Sequence, residues 1–150
     1  MILVDTNVLL RAVQPAHPHC DTARSAVKMA RTREYVPCIV PQIIYEFWVV
    51  ATRPFGQNGL GLTAIEAEVD VTQIIEQFHL FRDERTILGR WQQLVVRHDV
   101  LGKTAHDARL VAAMNRHAIT HLLTFNTADF QRFAGITVVH PENVLNLSAK

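Results

Sequence analysis

The chain has 150 residues, of which 49% are hydrophobic and 19% are charged, and its formal net charge is +1. A chain of this length buries about 70% of the surface that it exposes when unfolded, so one domain over residues 1–150 is expected. With only six glycines and six prolines, the composition excludes disordered and collagen-like proteins. Because the net charge is close to zero, attraction to RNA must come from local basic residues or from a bound metal ion.

The sequence shows no pattern that directs a chain to or across a membrane. Its N-terminus runs into the apolar residues 2–4 without a basic region. The most apolar stretch, residues 36–52, is interrupted by prolines and polar residues, and a spanning helix needs roughly 20 apolar residues. Cys20 and Cys38 form neither a CxxC pair nor a zinc ligand set. These features predict a cytoplasmic protein with free thiols.

The first half of the chain predicts strands and helices in alternation. In order, they are a strand over residues 2–4, a helix over 19–33, a strand over 35–40 and a helix over 42–51. Pro37 places the second strand at a sheet edge or at an irregular position, and Pro41 suits the first turn of a helix. Residues 53–62, RPFGQNGLGL, predict a loop that forms a mobile flap beside the preceding helix.

The second half continues the alternation. In order, it predicts a helix over residues 63–77, a strand over 79–82, helices over 84–97 and 104–117, and strands over 121–125 and 136–139. Thr63 and Thr104 each precede an acidic residue by three positions, which predicts a capping box at the start of each helix. Three aromatic residues on apolar helix faces are predicted to lie in the core: Phe47, Trp48 and Trp91. Strands separated by helices predict an α/β fold with a mainly parallel sheet of four to five strands.

Asp5 is the most informative polar residue because it directly follows a buried apolar run. A buried carboxylate without a partner is costly, so backbone amides, a base or a cation must compensate it. Its alternative role is to cap a turn with Thr6 and Asn7. Ligands of open parallel sheets bind outside the carboxyl ends of the strands. Asn126 and Asp129, which follow a later strand, are therefore expected at the same rim as Asp5.

Two further acids have both a functional and a structural interpretation. Glu46 lies in a predicted helix that is apolar nearly all round. There it either has a functional role, reaches the surface, or pairs with an arginine such as Arg11 or Arg53. Asp107 suits a helix cap, but a capping aspartate can also bind a metal ion. Carboxylates gathered at one rim raise each other's pKa unless a divalent cation neutralises them. Hard oxygen ligands select Mg²⁺ or Mn²⁺, which can activate water toward a phosphodiester.

The ordered set of motifs resembles the PIN domain ribonucleases, and among them the VapC-type toxins of bacterial toxin–antitoxin pairs. The motifs are Val4-Asp5-Thr6-Asn7-Val8-Leu9, the mid-chain Glu46, His106-Asp107-Ala108 and Thr124-Phe125-Asn126-Thr127-Ala128-Asp129-Phe130. The resemblance extends over essentially the whole chain. It implies a three-layer α/β/α fold, RNA cleavage that depends on Mg²⁺ or Mn²⁺, a homodimer, and inhibition by a small antitoxin protein.

Residue by residue, the resemblance implies that Asp5, Glu46 and Asp107 are catalytic and bind the metal ion. The fourth catalytic position, often aspartate, falls on Asn126, which offers an oxygen without charge. Asp129 is the alternative fourth metal ligand, and the sequence leaves the two open. The asparagine also favours a rival function, a catalytically silent PIN-like module that binds RNA or a protein.

Four more residues are candidates for contact with the substrate. Thr6 and Asn7 match the polar pair that orients the first aspartate of the family. Lys103 and Arg109 flank the expected site, where they either bind phosphate or remain solvated charges. A phosphatase with an aspartate nucleophile is a third possible class, but it requires an acid at position 7, which is asparagine.

Overall fold

The computed structural model describes residues 1–148 and contains five strands and seven helices within them. The strands are β1 (Ile2–Val4), β2 (Pro37–Ile39), β3 (His79–Leu80), β4 (His121–Leu123) and β5 (Thr137–Val139). The helices are α1 (Thr6–Ala12), α2 (Cys20–Thr32), α3 (Pro41–Thr52), α4 (Ala64–Gln77), α5 (Arg85–Arg97), α6 (Ala105–Arg116) and α7 (Thr127–Phe130). Short 3₁₀ turns cover Phe55–Gln57, Gly102–Thr104 and Pro141–Asn146. No described helix has both the length and the apolar character that crossing a bilayer requires.

The five strands form one sheet with the order β3-β2-β1-β4-β5, and every pairing is parallel. The predicted α/β fold with a parallel sheet is therefore confirmed. The expectation that Pro37 marks an edge is wrong, because β2 lies between β3 and β1. Pro37 is the first residue of β2 and pairs in register with Ile2. A proline is tolerated at that position because the first residue can do without a ladder donor.

The core lies on both faces of the sheet. All three residues of β1 are fully buried, which explains why they form an uninterrupted apolar run. Phe47 of α3 is fully buried, whereas Trp48 beside it is 36% exposed. The prediction that Trp48 lies in the core is thus wrong, since successive helix residues point about 100° apart and cannot share the buried face. Trp91 is partly buried against the core.

Helix α1 was not predicted, because residues 6 and 7 suit a turn as well as a helix. It begins directly after Asp5, whose carbonyl oxygen accepts a hydrogen bond from the amide of Val8 at 3.0 Å. Thr6, Val8, Leu9 and Leu10 are buried along it. The early helix start matters for the site, because it brings the side chains of residues 6 and 7 back over the end of the sheet.

The order of the strands creates a crevice beside β1. The chain passes from β1 to β2 on one side of it and later returns to β4 on the other. Open parallel sheets bind ligands at such a switch point, outside the carboxyl ends of the strands. Asp5 follows β1 directly, and Thr124 follows β4 directly. The topology therefore places these two residues side by side.

The loop after α3 lies beside the helix and is hydrogen-bonded to its end, and its movement as a flap stays a prediction. The amides of Leu60, Gly61 and Leu62 donate hydrogen bonds to backbone carbonyls of α3 and its C-terminal cap, at 2.8–3.0 Å. These three hydrogen bonds join the backbone of the loop to the end of α3.

The two predicted capping boxes have different outcomes. At α4 the Thr63 hydroxyl accepts a hydrogen bond from the Glu66 amide and the Glu66 carboxylate reaches back to the Thr63 amide, so this box is confirmed. At α6 the prediction is wrong. Thr104 has helical backbone angles and makes no capping hydrogen bond, and its hydroxyl donates to the Leu101 carbonyl at 2.7 Å. Asp107 is therefore not held in place as a capping partner.

This difference gives a stability prediction. Thr63→Ala is expected to lower the free energy of unfolding by about 1 kcal/mol, because the first turn of α4 loses its cap. Thr104→Ala is the matched control and should have a smaller effect, since it removes a single exposed hydrogen bond. Urea denaturation of the two variants measures both effects, and equal losses would contradict the capping assignment.

Candidate active site

Asp5 lies in the crevice and is 7% exposed. Its carboxylate does not cap α1. Instead, its Oδ2 atom accepts hydrogen bonds from the Thr124 hydroxyl at 2.6 Å and from the Asn7 side-chain amide. No side-chain donor among the described residues reaches the Oδ1 atom. The Thr6 amide also donates to this carboxylate, as the turn-capping interpretation expects, so Asp5 is oriented both by the turn that follows it and by Thr124 at the end of β4.

Thr124 is a site residue that the sequence did not single out. It is fully buried, and its hydroxyl also accepts hydrogen bonds from the Asn7 side chain at 2.9 Å and from the Asn126 amide at 3.0 Å. The Oδ1 atom of Asn7 accepts a hydrogen bond from the Phe125 amide at 3.1 Å. Asn7 and Thr124 thus join the end of β4 to the start of α1. The sequence signal for Thr124 was its position as a polar residue directly after an apolar strand.

Glu46 is held by two side chains and by no arginine. Its Oε2 atom accepts a hydrogen bond from the Thr6 hydroxyl at 2.9 Å, and its Oε1 atom accepts one from the Gln42 amide at 2.7 Å. Neither Arg11 nor Arg53 forms an ion pair with it among the described residues. The expected alternative of an arginine pair is therefore wrong. Thr6 contacts Glu46, so its role at the site is to orient this second acid.

Gln42 is the second residue that sequence reasoning missed. It is 5% exposed, lies one turn before Glu46, and also donates to the backbone carbonyl of His106 at 2.9 Å. Its own Oε1 accepts a hydrogen bond from Arg109 at 3.1 Å. Gln42 therefore connects α3 to the first turn of α6, where Asp107 lies. A polar residue within an apolar helix was the signal that could have identified it.

These side chains line one open cavity of about 750 Å³. Seven of the nine predicted site residues line it: Asp5, Thr6, Asn7, Glu46, Asp107, Arg109 and Asn126. The structure does not bring Lys103 to it; that residue is exposed and lies outside the lining. Asp129 is also exposed and outside the lining, but its charge acts on Asp107. The crevice therefore gathers acids from three separate segments of the chain.

The acids perturb one another. Burial raises the pKa of Asp5 to about 6, and the charge of Glu46 adds to the rise, while the hydrogen bond from Thr124 opposes it. Burial likewise raises the pKa of Asp107 to about 6, with further contributions from the charges of Asp129, Asp5 and Glu46. A carboxylate whose pKa is raised in this way is stabilised by a nearby cation.

The donor chemistry suits a hard divalent cation. The cavity offers carboxylate oxygens from Asp5, Glu46 and Asp107 and an amide oxygen from Asn126, and Mg²⁺ and Mn²⁺ prefer such ligands. No group of three or more His, Cys, Asp or Glu side chains within residues 1–148 is arranged closely enough to hold an ion as it stands. The residues therefore fit a divalent cation in two respects: they offer oxygen ligands, and they carry unfavourable negative charge that an ion would neutralise.

Several solved structures have a similar fold. VapBC2 from Rickettsia felis, solved with a DNA fragment from its promoter, has a TM-score of 0.71 at 12% identity and covers 93% of this chain and 98% of its own. A toxin–antitoxin complex from Klebsiella pneumoniae has a TM-score of 0.66 at 21% identity, covering 94% and 98%. VapC20 from Mycobacterium tuberculosis, a sarcin–ricin loop cleaving toxin, has a TM-score of 0.60 at 18% identity, covering 81% and 87%.

At these identities the similarity shows a common fold. No curated protein matches the sequence significantly. The PIN domain family matches residues 2–136, which include every residue of the crevice described above. The chain therefore belongs to the PIN domain family.

Proposed function

We propose that this protein is a metal-dependent endoribonuclease and the toxin component of a toxin–antitoxin pair. The observation that carries the proposal is the meeting of Asp5, Glu46 and Asp107 in one cavity at the carboxyl edge of the sheet. Among the described residues, Glu46 has no arginine partner and Thr104 makes no capping hydrogen bond at the start of α6, so neither of these structural roles accounts for the acids. Their convergence is then best explained by catalysis at a bound cation.

Each residue has a role in this proposal. Asp5, Glu46 and Asp107 would hold Mg²⁺ or Mn²⁺, and the ion would supply positive charge to a phosphodiester and acidify a water molecule. Asp129 is proposed as the further acid, because its charge raises the pKa of Asp107, and Asn126 as an uncharged oxygen ligand. The carboxylates of Asp5, Glu46 and Asp107 could also act as a base that accepts a proton from this water molecule.

RNA as the substrate is supported by the fold neighbours. One neighbour is named as a toxin that cleaves the sarcin–ricin loop. The acids themselves suit any phosphodiester, so the choice of RNA depends on the family resemblance. Arg109 is held by Asp83 at 2.9 Å and by Gln42, so its role toward phosphate requires exchange of these partners.

An antitoxin partner is supported by the apolar wall of the same cavity. Tyr45 and Val49 line it and are 63% and 54% exposed, with Val50 and Leu10 beside them. A partner segment that covered this wall would bury apolar surface and block access to the acids. Several fold neighbours are toxin–antitoxin complexes. A homodimer is also proposed from the resemblance, and sedimentation equilibrium of the purified protein tests it.

Cleavage of single-stranded RNA by the purified protein tests the function. We expect cleavage with Mn²⁺ or Mg²⁺, none after chelation with EDTA, and recovery when the metal is restored. Asp107→Asn should lower the rate by at least about a hundredfold, because the site loses a charged ligand. Asp21→Asn, at an exposed position of α2, is the matched control and should cleave normally.

The silent binding module remains the second candidate because Asn126 replaces an acid in the cavity. RNA binding without cleavage at millimolar Mn²⁺ would select it and reject the nuclease. Growth arrest on expression then tests the toxin role. Wild-type protein should arrest growth and Asp107→Asn should not, whereas equal toxicity would reject the nuclease as its cause.

A further inference from the structure

The cavity requires positive charge if a phosphodiester strand is to enter it, because its acids repel phosphate. Two arginines line it, Arg53 and Arg109. Arg109 is engaged by Asp83 at 2.9 Å and by Gln42 at 3.1 Å. Arg53 makes no side-chain hydrogen bond or ion pair with any residue of 1–148, and it is only partly buried. Its guanidinium therefore remains available for an anion.

Arg53 lies close enough to the acids for one RNA strand to contact both. It is the C-terminal cap of α3, seven residues after Glu46, and two helical turns of this kind span about 10 Å. Both side chains line the same cavity. A single strand bound at the acids can therefore continue to Arg53 without leaving the cavity.

The glycine-rich loop fixes the position of Arg53. The Gly61 amide donates to the Arg53 carbonyl at 2.8 Å, and the amides of Leu60 and Leu62 donate to the carbonyls of Val50 and Ala51 in the last turn of α3. At Gly59 a Cβ atom would lie 1.9 Å from the Arg53 carbonyl oxygen and 2.4 Å from the Arg53 Cβ. Only glycine permits this approach, so the loop holds the backbone of Arg53 in one place and lowers the entropy lost on binding.

We propose that residues 53–62 form a phosphate-binding subsite, in which the loop presents Arg53 to the RNA strand beside the scissile bond. This inference rests on the proposed ribonuclease function and assigns a role to a glycine motif that catalysis does not explain. Arginine suits the task because its planar guanidinium binds two phosphate oxygens at once. The subsite also places a positive charge, unpaired within residues 1–148, in the cavity of a chain whose net charge is only +1.

Equilibrium binding of a labelled single-stranded oligoribonucleotide tests the subsite. We use protein that carries Asp5→Asn, in EDTA, so that no cleavage occurs, and measure anisotropy over a range of salt concentrations. Adding Arg53→Gln should weaken binding about threefold to tenfold and lower the slope of log K against log salt by about 0.7. Gly59→Ala changes no charge but should weaken binding in the same direction, because it displaces Arg53.

Two controls separate this result from general effects. Arg90→Gln removes an equal charge from an exposed position on α5 and should bind RNA as the parent does. Arg53→Lys keeps the charge and should restore the salt slope. Unchanged RNA binding by Arg53→Gln would overturn the proposal, and so would an equal loss of binding in Arg90→Gln. Cleavage by the wild-type protein is measured separately, so a failure of the nuclease function and a failure of the subsite give different results.

Discussion

Asp5→Asn is expected to abolish RNA cleavage and, at the same time, to make the metal-free protein more stable at pH 7. The two effects have one cause. Asp5 is 7% exposed, and burial raises the pKa of its carboxyl from 3.8 to about 6. Its ionised form is therefore unfavourable in the folded protein unless a cation is present.

The direction of the change in stability with pH follows from proton binding. Between pH 4 and pH 6 the folded state holds the Asp5 proton more tightly than the unfolded state, so stability falls as the pH rises. Above pH 6 the loss is complete and amounts to at most about 3 kcal/mol, since one pKa unit corresponds to about 1.4 kcal/mol. Asparagine cannot ionise, and its oxygen can still accept the hydrogen bond from Thr124. A gain of about 1 to 3 kcal/mol is expected at pH 7.

Urea denaturation in EDTA at several pH values measures this effect. The curves of wild type and Asp5→Asn should separate as the pH rises from 4 to 7 and converge below pH 4. Added Mn²⁺ should stabilise the wild type at pH 7 and have little effect on the variant. A variant less stable than the wild type at pH 7 would contradict the raised pKa. Asp21→Asn again serves as the exposed control.

Local pattern was sufficient to predict the alternation of strands and helices and the rim on which Asp5 lies. It failed where the outcome depended on distant parts of the chain. Thr104 has the sequence of a capping box, but the 3₁₀ turn before α6 gives it helical backbone angles, and its hydroxyl bonds to residue 101 instead. Pro37 could be placed in the sheet interior only once the strand order was known.

The same limit applies to the site. The three acids could be predicted because carboxylates stand out in apolar segments. The residues that orient them could not, since a threonine or a glutamine has many uses and its partner lies far away in sequence. Thr124 meets Asp5 across 119 positions, and Gln42 meets His106 across 64. The pairing of β1 with β4 brings the first pair together, and the approach of α3 to the start of α6 brings the second.

Gln42→Met is expected to lower both Mn²⁺ affinity and the cleavage rate by about ten- to a hundredfold, although Gln42 is not itself proposed to touch the metal. Methionine has a similar volume but cannot donate to Glu46 or to the His106 carbonyl. Glu46 would keep its bond from Thr6 and lose the one that fixes its second oxygen. The link that holds Glu46 near Asp107 would then be broken.

A structural role alone predicts a different outcome. Loss of the buried hydrogen bonds should lower the free energy of unfolding by about 1 to 3 kcal/mol, which leaves a folded protein. If Gln42 only supported packing, the folded variant would bind Mn²⁺ as the wild type does. If it positions Glu46, calorimetry will show weaker Mn²⁺ binding, and a higher Mn²⁺ concentration will recover part of the cleavage rate. Because Glu46 and Asp107 lie on different helices, their separation depends on the side chain that joins those helices.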